Sequence, residues 1–184
     1  MLQYALLGFL SYGSMTGYEL KQIIDSSTTH FWHAKQSQIY TTLKSLEGEG
    51  MVASAVVEQE ERPDRRVYTI TPEGRKMLSV WLAQPVTEIE ATKTPFLLKL
   101  FFSAHLEKDT LLAQLRLQRS LHQAQGDNYR AETRALIREA VESNPAMARD
   151  GLLWEATRRF GELYESLFVE WLDETITVIV NEFE

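Results

Sequence analysis

The residues best suited to chemistry at a surface lie between Lys35 and Met51, in the run KQSQIYTTLKSLEGEGM. Ile39, Leu43 and Leu46 recur at i, i+4 and i+7, the spacing that buries one stripe of a short helix. The opposite face carries Ser37, Gln38, Tyr40, Thr41 and Lys44: short hydrogen-bonding groups, a phenol, an ammonium and no carboxylate. Glu47 and Glu49 come only at the far end, where Gly48 and Gly50 stop the helix. Such groups can meet base edges and phosphates in a groove of DNA. Taken alone, the stretch reads equally well as a solvated amphipathic helix, so its neighbours decide.

A second cluster is cationic. Arg62, Arg65 and Arg66 surround Asp64 in RPDRR, with Pro63 marking a turn. The arginine fork matches phosphate oxygens and fits narrow minor grooves; the competing reading is a solvated hairpin tip. Other chemistries find no support. Cysteine is absent, which removes disulfides, thiol catalysis and thiolate metal sites. His30 and His33 flank two aromatics without converging carboxylates, too few ligands for a metal. No Gly-rich phosphate loop and no context for a nucleophile or general base is present, so neither an enzyme nor a cofactor is expected.

The elements that must position these residues follow from local patterning. Leu2 to Ser11 reads as a helix with Leu2, Leu6, Phe9 and Leu10 inward. Thr16 is a good N-cap for a second helix, Gly17 to about Ser26, with Leu20, Ile23 and Ile24 on its apolar face. Phe31 and Trp32 are expected to lock the core before the polar-faced helix. From Val52 the period changes: Val52–Gln59 and Val67–Ile70 read as two strands joined by the charged turn. Thr71-Pro72-Glu73 then caps a helix to Leu82, with Met77, Leu78 and Trp81 inward. Three short helices, a two-stranded hairpin with a basic tip and a fourth helix make a winged helix-turn-helix.

Pro85 to Lys93 lacks apolar periodicity and reads as a linker, giving domains at 1–84 and 94–184. In the second domain, FLLKLFF after Thr94-Pro95 is apolar nearly all round and is expected to be buried on several sides. A long helix is expected over about Asp109–Ser143, weakened at Gly126 and broken at Asn144-Pro145. Another covers about Arg149–Asn181. On it Ala156, Phe160, Leu163 and Leu167 form one seam, and Trp154, Phe168, Trp171, Leu172, Ile176 and Ile179 widen the apolar face. A face that wide can serve its own bundle and a second chain, which makes Phe160, Leu163, Leu167 and Trp171 the expected dimer contacts. Trp81, Trp154 and Trp171 could instead line a pocket for an aromatic effector, although core packing is the commoner role for buried tryptophan. The arginines at 116, 119, 130, 134 and 138 fit solvated helix faces paired with acids.

The chain has 184 residues and a formal net charge of −7, which at first argues against a phosphate-rich partner. The charge is segregated: residues 1–84 hold eight basic and nine acidic groups, residues 85–184 eleven and seventeen. No apolar run approaches the length needed to span a bilayer, and MLQYALLGFL lacks the basic flank of a signal peptide. A cytoplasmic protein with no membrane partner is expected.

LQYALLGFL, MTGYELKQ, FWHAKQSQIYTTLKSLEGEGMV and RRVYTITPEGRKML together resemble the PadR family of bacterial transcriptional regulators. The likeness is close over about Leu2–Leu82; the helical remainder resembles the C-terminal region of the longer members, related to virulence-gene activators. The resemblance implies a homodimeric winged-helix regulator of double-stranded DNA, usually repressing, with release by phenolic or other small effectors. It implies that Ser37, Gln38, Tyr40, Thr41 and Lys44 face DNA, that Thr16, Tyr18 and Lys35 touch the backbone, and that Arg62, Arg65 and Arg66 belong to the wing. Arg66 and Tyr68 could alternatively brace the wing. Glu58, Glu60 and Glu61 depart from the family pattern and oppose deep wing insertion. The rival reading is a winged helix used for protein–protein contact without DNA.

Overall fold

The structure, a computed structural model, describes residues 1–28, 31–58, 64–89 and 93–183. It divides into two compact units, Met1–Glu90 and Ala91–Glu184, so the 85–93 stretch falls across the division.

In the first unit, α1 (Leu2–Tyr12) leads through β1 (Met15–Thr16) into α2 (Gly17–Ser27). Thr16 caps α2 as expected. Its hydroxyl accepts the Glu19 N–H at 3.1 Å while the Glu19 carboxylate accepts the Thr16 N–H at 2.7 Å. This reciprocal pair satisfies two amides that a helix start would otherwise leave open. After α3 (Gln36–Gly48), Gly50 turns the chain in the left-handed region at φ 74°, where a Cβ would be strained. β2 (Val52–Val57) and β3 (Arg65–Ile70) pair antiparallel from Val52 opposite Ile70 to Val57 opposite Arg65. α4 (Pro72–Ala83) starts at Thr71, whose hydroxyl accepts the Gly74 N–H at 3.1 Å.

Two features differ from expectation. The sheet has three strands in the order β1-β3-β2, because Met15 and Thr16 pair with Tyr68 and Val67. A two-residue strand is too short to carry an alternating pattern. β3 also begins two residues early, so Arg65 and Arg66 are strand residues opposite Val57 and Val56 rather than part of the tip. The core joins Leu6, Leu7 and Leu10 of α1 to Leu20 and Ile24 of α2, the α3 seam, and Val52, Tyr68 and Ile70 of the sheet. Trp32 packs against it, but Phe31 is 53% exposed and does not lock it.

The second unit comprises α5 (Pro95–Phe101), α6 (Lys108–Asn128), α7 (Arg134–Ser143) and α8 (Ala148–Glu182). The helix expected over 109–143 is interrupted by a π-helical turn at Tyr129–Thr133. There the Tyr129 carbonyl accepts from Arg158 Nη1 at 3.0 Å. Arg158, only 4% exposed, is also held by Glu155 and Glu162, as a buried cation requires. Gly126 is buried where α6 crosses α8: a Cβ there would meet Glu165 Cβ at 3.4 Å. His122 pairs with Glu165 across the same crossing and stacks on Phe168.

α5 is not buried on several sides. Phe96 and Leu100 pack into the unit's core, whereas Leu97, Leu98, Phe101 and Phe102 are exposed. Helix periodicity explains this, since a seven-residue helix with one neighbour can turn only one stripe inward. α8 sorts its apolar residues similarly. Phe168, Trp171, Leu172, Ile176 and Ile179 join Leu111, Leu112 and Leu115 of α6, while Phe160, Leu163 and Leu167 are exposed. No helix among the described residues is long and apolar enough to cross a membrane.

Candidate nucleic-acid interface

α3 is held by its buried side. Ile39 and Leu43 are fully buried and Leu46 nearly so, which fixes the helix axially and rotationally and leaves the opposite face outward. Ser37, Gln38, Tyr40, Thr41 and Lys44 are all exposed on that face. Two of them also serve the helix. The Gln38 side-chain oxygen accepts the Lys35 N–H at 2.9 Å, closing the first turn, and the Thr41 hydroxyl donates to the Ser37 carbonyl at 2.9 Å. The Gln38 amide NH2 and the Thr41 oxygen remain as a donor and an acceptor. Tyr40 is 43% exposed, and the face of its ring lies over Gly17, where a Cβ would approach Tyr40 Cε1 to 2.5 Å.

Lys35, just before α3, is exposed, as is Tyr18 on the first turn of α2. The Tyr18 hydroxyl accepts from Gln22 Nε2 at 3.2 Å. Thr16 is half-buried, with its oxygen committed to the cap. Only the Thr16 hydroxyl proton is left to offer a phosphate.

The wing arginines have separate tasks. Arg62 lies outside the described residues, as do His30, Glu60 and Glu61. Arg65 is half-exposed, with Nη1 3.9 Å from Glu19 Oε1, a distance at which a surface pair gains little. Arg66 is clamped. Its Nη2 donates to both Glu47 oxygens at 2.8 and 2.7 Å, its Nε donates to Ser54 Oγ at 2.7 Å, and Ser54 Oγ donates to Glu47 Oε1 at 2.5 Å. The guanidinium also lies 5.7 Å from the Tyr68 ring centroid, within cation–π range. This knot ties β2 and β3 to the C-terminal end of α3.

The ties shape the local electrostatics. The hydrogen bond from Ser54 and the pairing with Arg66 hold the Glu47 carboxyl below the usual carboxylate range. Hydrogen bonds from Thr16 do the same for Glu19, with a smaller pull from Arg65. Burial pushes the Tyr68 phenol up. Glu47 and Glu19 are thus compensated, while Lys44 stands exposed on the polar face. Glu47, Ser54 and Gly17 were not singled out from sequence. The spacing LE…S…R carries a hint only once β2 and β3 are in register.

Trp81 and Trp171, considered for an effector, each pack within their own unit. Trp81 stacks on Tyr4 with centroids 4.6 Å apart and an interplanar angle of 4°, beside a shallow groove of about 340 Å³ that includes Lys76 and Met77. Trp171 packs edge-on against Phe96 and Phe168 in the second unit's core. Trp154 is half-buried on the same helix, 17 residues earlier. That spacing places the two about 25 Å apart along α8, so they cannot line one pocket in a single protomer. Among the described residues no cluster of His, Asp and Glu could hold a metal ion.

Comparison with known proteins agrees with this geometry. The model of the PadR-like family of transcriptional regulators matches residues 6–80, and that of the virulence activator alpha C-terminal region matches residues 92–179. The negative transcriptional regulator PadR of Bacillus subtilis is 29% identical over 182 residues, covering 97% of each chain. Its crystal structure in complex with operator DNA matches with a TM-score of 0.80 at 25% identity, covering 97% of this chain and 98% of that one. Its complex with p-coumaric acid matches at 0.73 and 26% identity, covering 98% and 99%. The Vibrio cholerae virulence activator AphA matches at 0.68 and 26% identity over 96% of each chain. With a polar-faced helix seated on a winged-helix core, and family matches running through both units, the chain carries a domain of the PadR-like family of transcriptional regulators over residues 6–80 and the virulence activator alpha C-terminal region over residues 92–179.

Proposed function

We propose that the protein is a homodimeric, sequence-specific DNA-binding repressor whose α3 enters the major groove. The observation that carries this reading is the outward face of α3, where five hydrogen-bonding side chains stand on a helix whose other side is fully buried. The likeness to a relative solved on operator DNA supports it. Ser37, Gln38, Tyr40 and Thr41 address base edges, and Lys44 and Lys35 address phosphate. Arg65 reaches the flanking backbone, whereas Arg66 keeps the wing in place.

Two copies are joined through the exposed stripe of α8. Phe160, Leu163 and Leu167 are 63%, 52% and 65% exposed, more large apolar surface than an isolated helix face leaves to water without cause. Two-fold symmetry then sets two α3 helices on half-sites about one helical turn, or a multiple, apart. Repression follows the name of the Bacillus subtilis relative, and release by a small planar aromatic follows its complex with p-coumaric acid. The test is a gel shift and footprint on DNA from upstream of the protein's own coding region, with salt varied. An inverted-repeat footprint is expected; absence of any shift at low salt would leave a protein-contact module. Quenching of tryptophan fluorescence by planar aromatic acids, with dissociation of the DNA complex, checks the effector.

A further inference from the structure

Gly17 stands at the first position of α2, buried, and its backbone does not require glycine, because it lies outside the left-handed region. Alanine is the better helix former at such a position. What glycine provides there is room. A Cβ at 17 would lie 2.5 Å from Tyr40 Cε1, 2.9 Å from Cζ and 3.1 Å from Cδ1, closer than carbon atoms can approach. The face of the phenol, on its Cδ1–Cε1–Cζ side that includes the carbon bearing the hydroxyl, therefore lies over the opening turn of α2 while the residue stays 43% exposed. The seat is rigid from below. Thr16 is fixed by the capping box and by pairing with Val67 of β3, and Leu20 of α2 and Ile39 and Leu43 of α3 are fully buried.

We propose that Gly17 is a positioning residue for operator recognition. It holds the Tyr40 phenol against the first turn of α2, so that α2 and α3 present one preset contact surface. This rests on the DNA-binding reading above. A free tyrosine on an exposed helix face would sample several rotamers and lose that freedom on binding. Seated on Gly17, the ring is already ordered before DNA arrives. Adding a methyl group evicts the ring without removing a cation, a hydrogen bond or any core side chain.

The experiment compares Gly17→Ala, Tyr40→Ala and the double variant by fluorescence anisotropy. One duplex comes from upstream of the coding region and the other is a scrambled duplex of equal composition. Gly17→Ala is expected to weaken binding to the first duplex by about tenfold, the scale of losing one specific base contact. Binding to the scrambled duplex and its salt slope should stay unchanged, because no phosphate contact is lost. In the Tyr40→Ala background the same glycine change should have no further effect. Wild-type affinity in Gly17→Ala, or an equal loss in the Tyr40→Ala background, would overturn the proposal. An independent readout on the native protein covers a Gly17→Ala chain that fails to fold. The Gly17 α-protons should be shifted upfield by the ring in the wild type and return to ordinary values in Tyr40→Leu. Unshifted Gly17 protons would overturn the seat. A wild-type chain that binds neither duplex would overturn the DNA reading instead, while the proton shifts still report the seat.

Discussion

The two units manage their apolar surface in opposite ways. In the first, apolar residues from three helices and two strands close over one another and the outward face of α3 is polar, although Phe31, Val80 and Leu82 stand exposed elsewhere. In the second, the buried apolar cluster among the described residues is four leucines, and Arg158 and Glu165 are buried farther along α8. Meanwhile Leu97, Leu98, Phe101, Phe102, Phe160, Leu163 and Leu167 stand exposed. A unit that covers its own core can present a surface to a polyanion without a partner. A unit that leaves aromatic and leucine side chains in water, yet internalises an arginine between two glutamates, is built to be completed by another surface. Under the proposed function the contrast is a division of labour, in which the first unit reads and the second pairs.

The change expected to break this contrast most severely is Leu167→Asp. Each symmetric interface buries the residue twice, so the variant should lose about 3 kcal/mol or more of association free energy. Sedimentation should show monomer, and DNA affinity should fall by at least about a hundredfold, while the far-UV circular dichroism stays close to wild type and the thermal melt loses its dependence on protein concentration. A dimer of unchanged strength would place the pairing surface elsewhere.

Next comes the self-sufficient core. Leu43→Ala removes a fully buried side chain beneath the reading face and should destabilise the protein by about 2–5 kcal/mol in denaturant unfolding. A loss within about 0.5 kcal/mol would show that α3 is not held from below.

A smaller effect separates the two wing arginines. Arg65→Ala should shallow the salt dependence of DNA binding by about one unit of log–log slope, because the proposed reading assigns it one phosphate contact. Arg66→Ala should leave the slope unchanged and instead speed amide exchange in β2 and β3, because Arg66 bonds Glu47 and Ser54. Equal slopes for both variants would erase the distinction.

The smallest effect is one of pH. Glu47 has its carboxyl held below the ordinary value of 4.5 in the folded protein. Its contribution to stability is therefore fully present above that value and is lost as the pH falls through the lowered folded value. Protection of the β2–β3 amides should be flat near neutrality and decline only in acid, and Glu47→Gln should remove that decline. A wild-type decline near neutral pH would point to a different group.

Much of this was legible from local pattern. The seam of Ile39, Leu43 and Leu46, the caps at Thr16 and Thr71, and the change of period at Val52 each lie within a few residues of the element they specify. What escaped depends on residues far apart in sequence. β1 exists only because Met15 and Thr16 find β3, some fifty residues on. Sequence left Arg66 open between the tip and a brace for the wing, and only its register against Val56 brings it to Glu47 and Ser54. Pattern alone grouped Trp171 with Phe160, Leu163 and Leu167 as expected dimer contacts, yet the three are exposed while Trp171 packs inward, since periodicity shows that a helix has an apolar face but not which partner covers it. Gly17 carried no signal at all, because a glycine that makes room looks like any other until the ring it admits is known.

The most direct test of the division between reading and pairing is a footprint on DNA upstream of the coding region, with wild type and Leu167→Asp side by side. Two protected half-sites related by a dyad, about one helical turn or a multiple apart, should appear with wild type and vanish with the variant at the same concentration. A single asymmetric site, or protection equal for both proteins, would contradict the account.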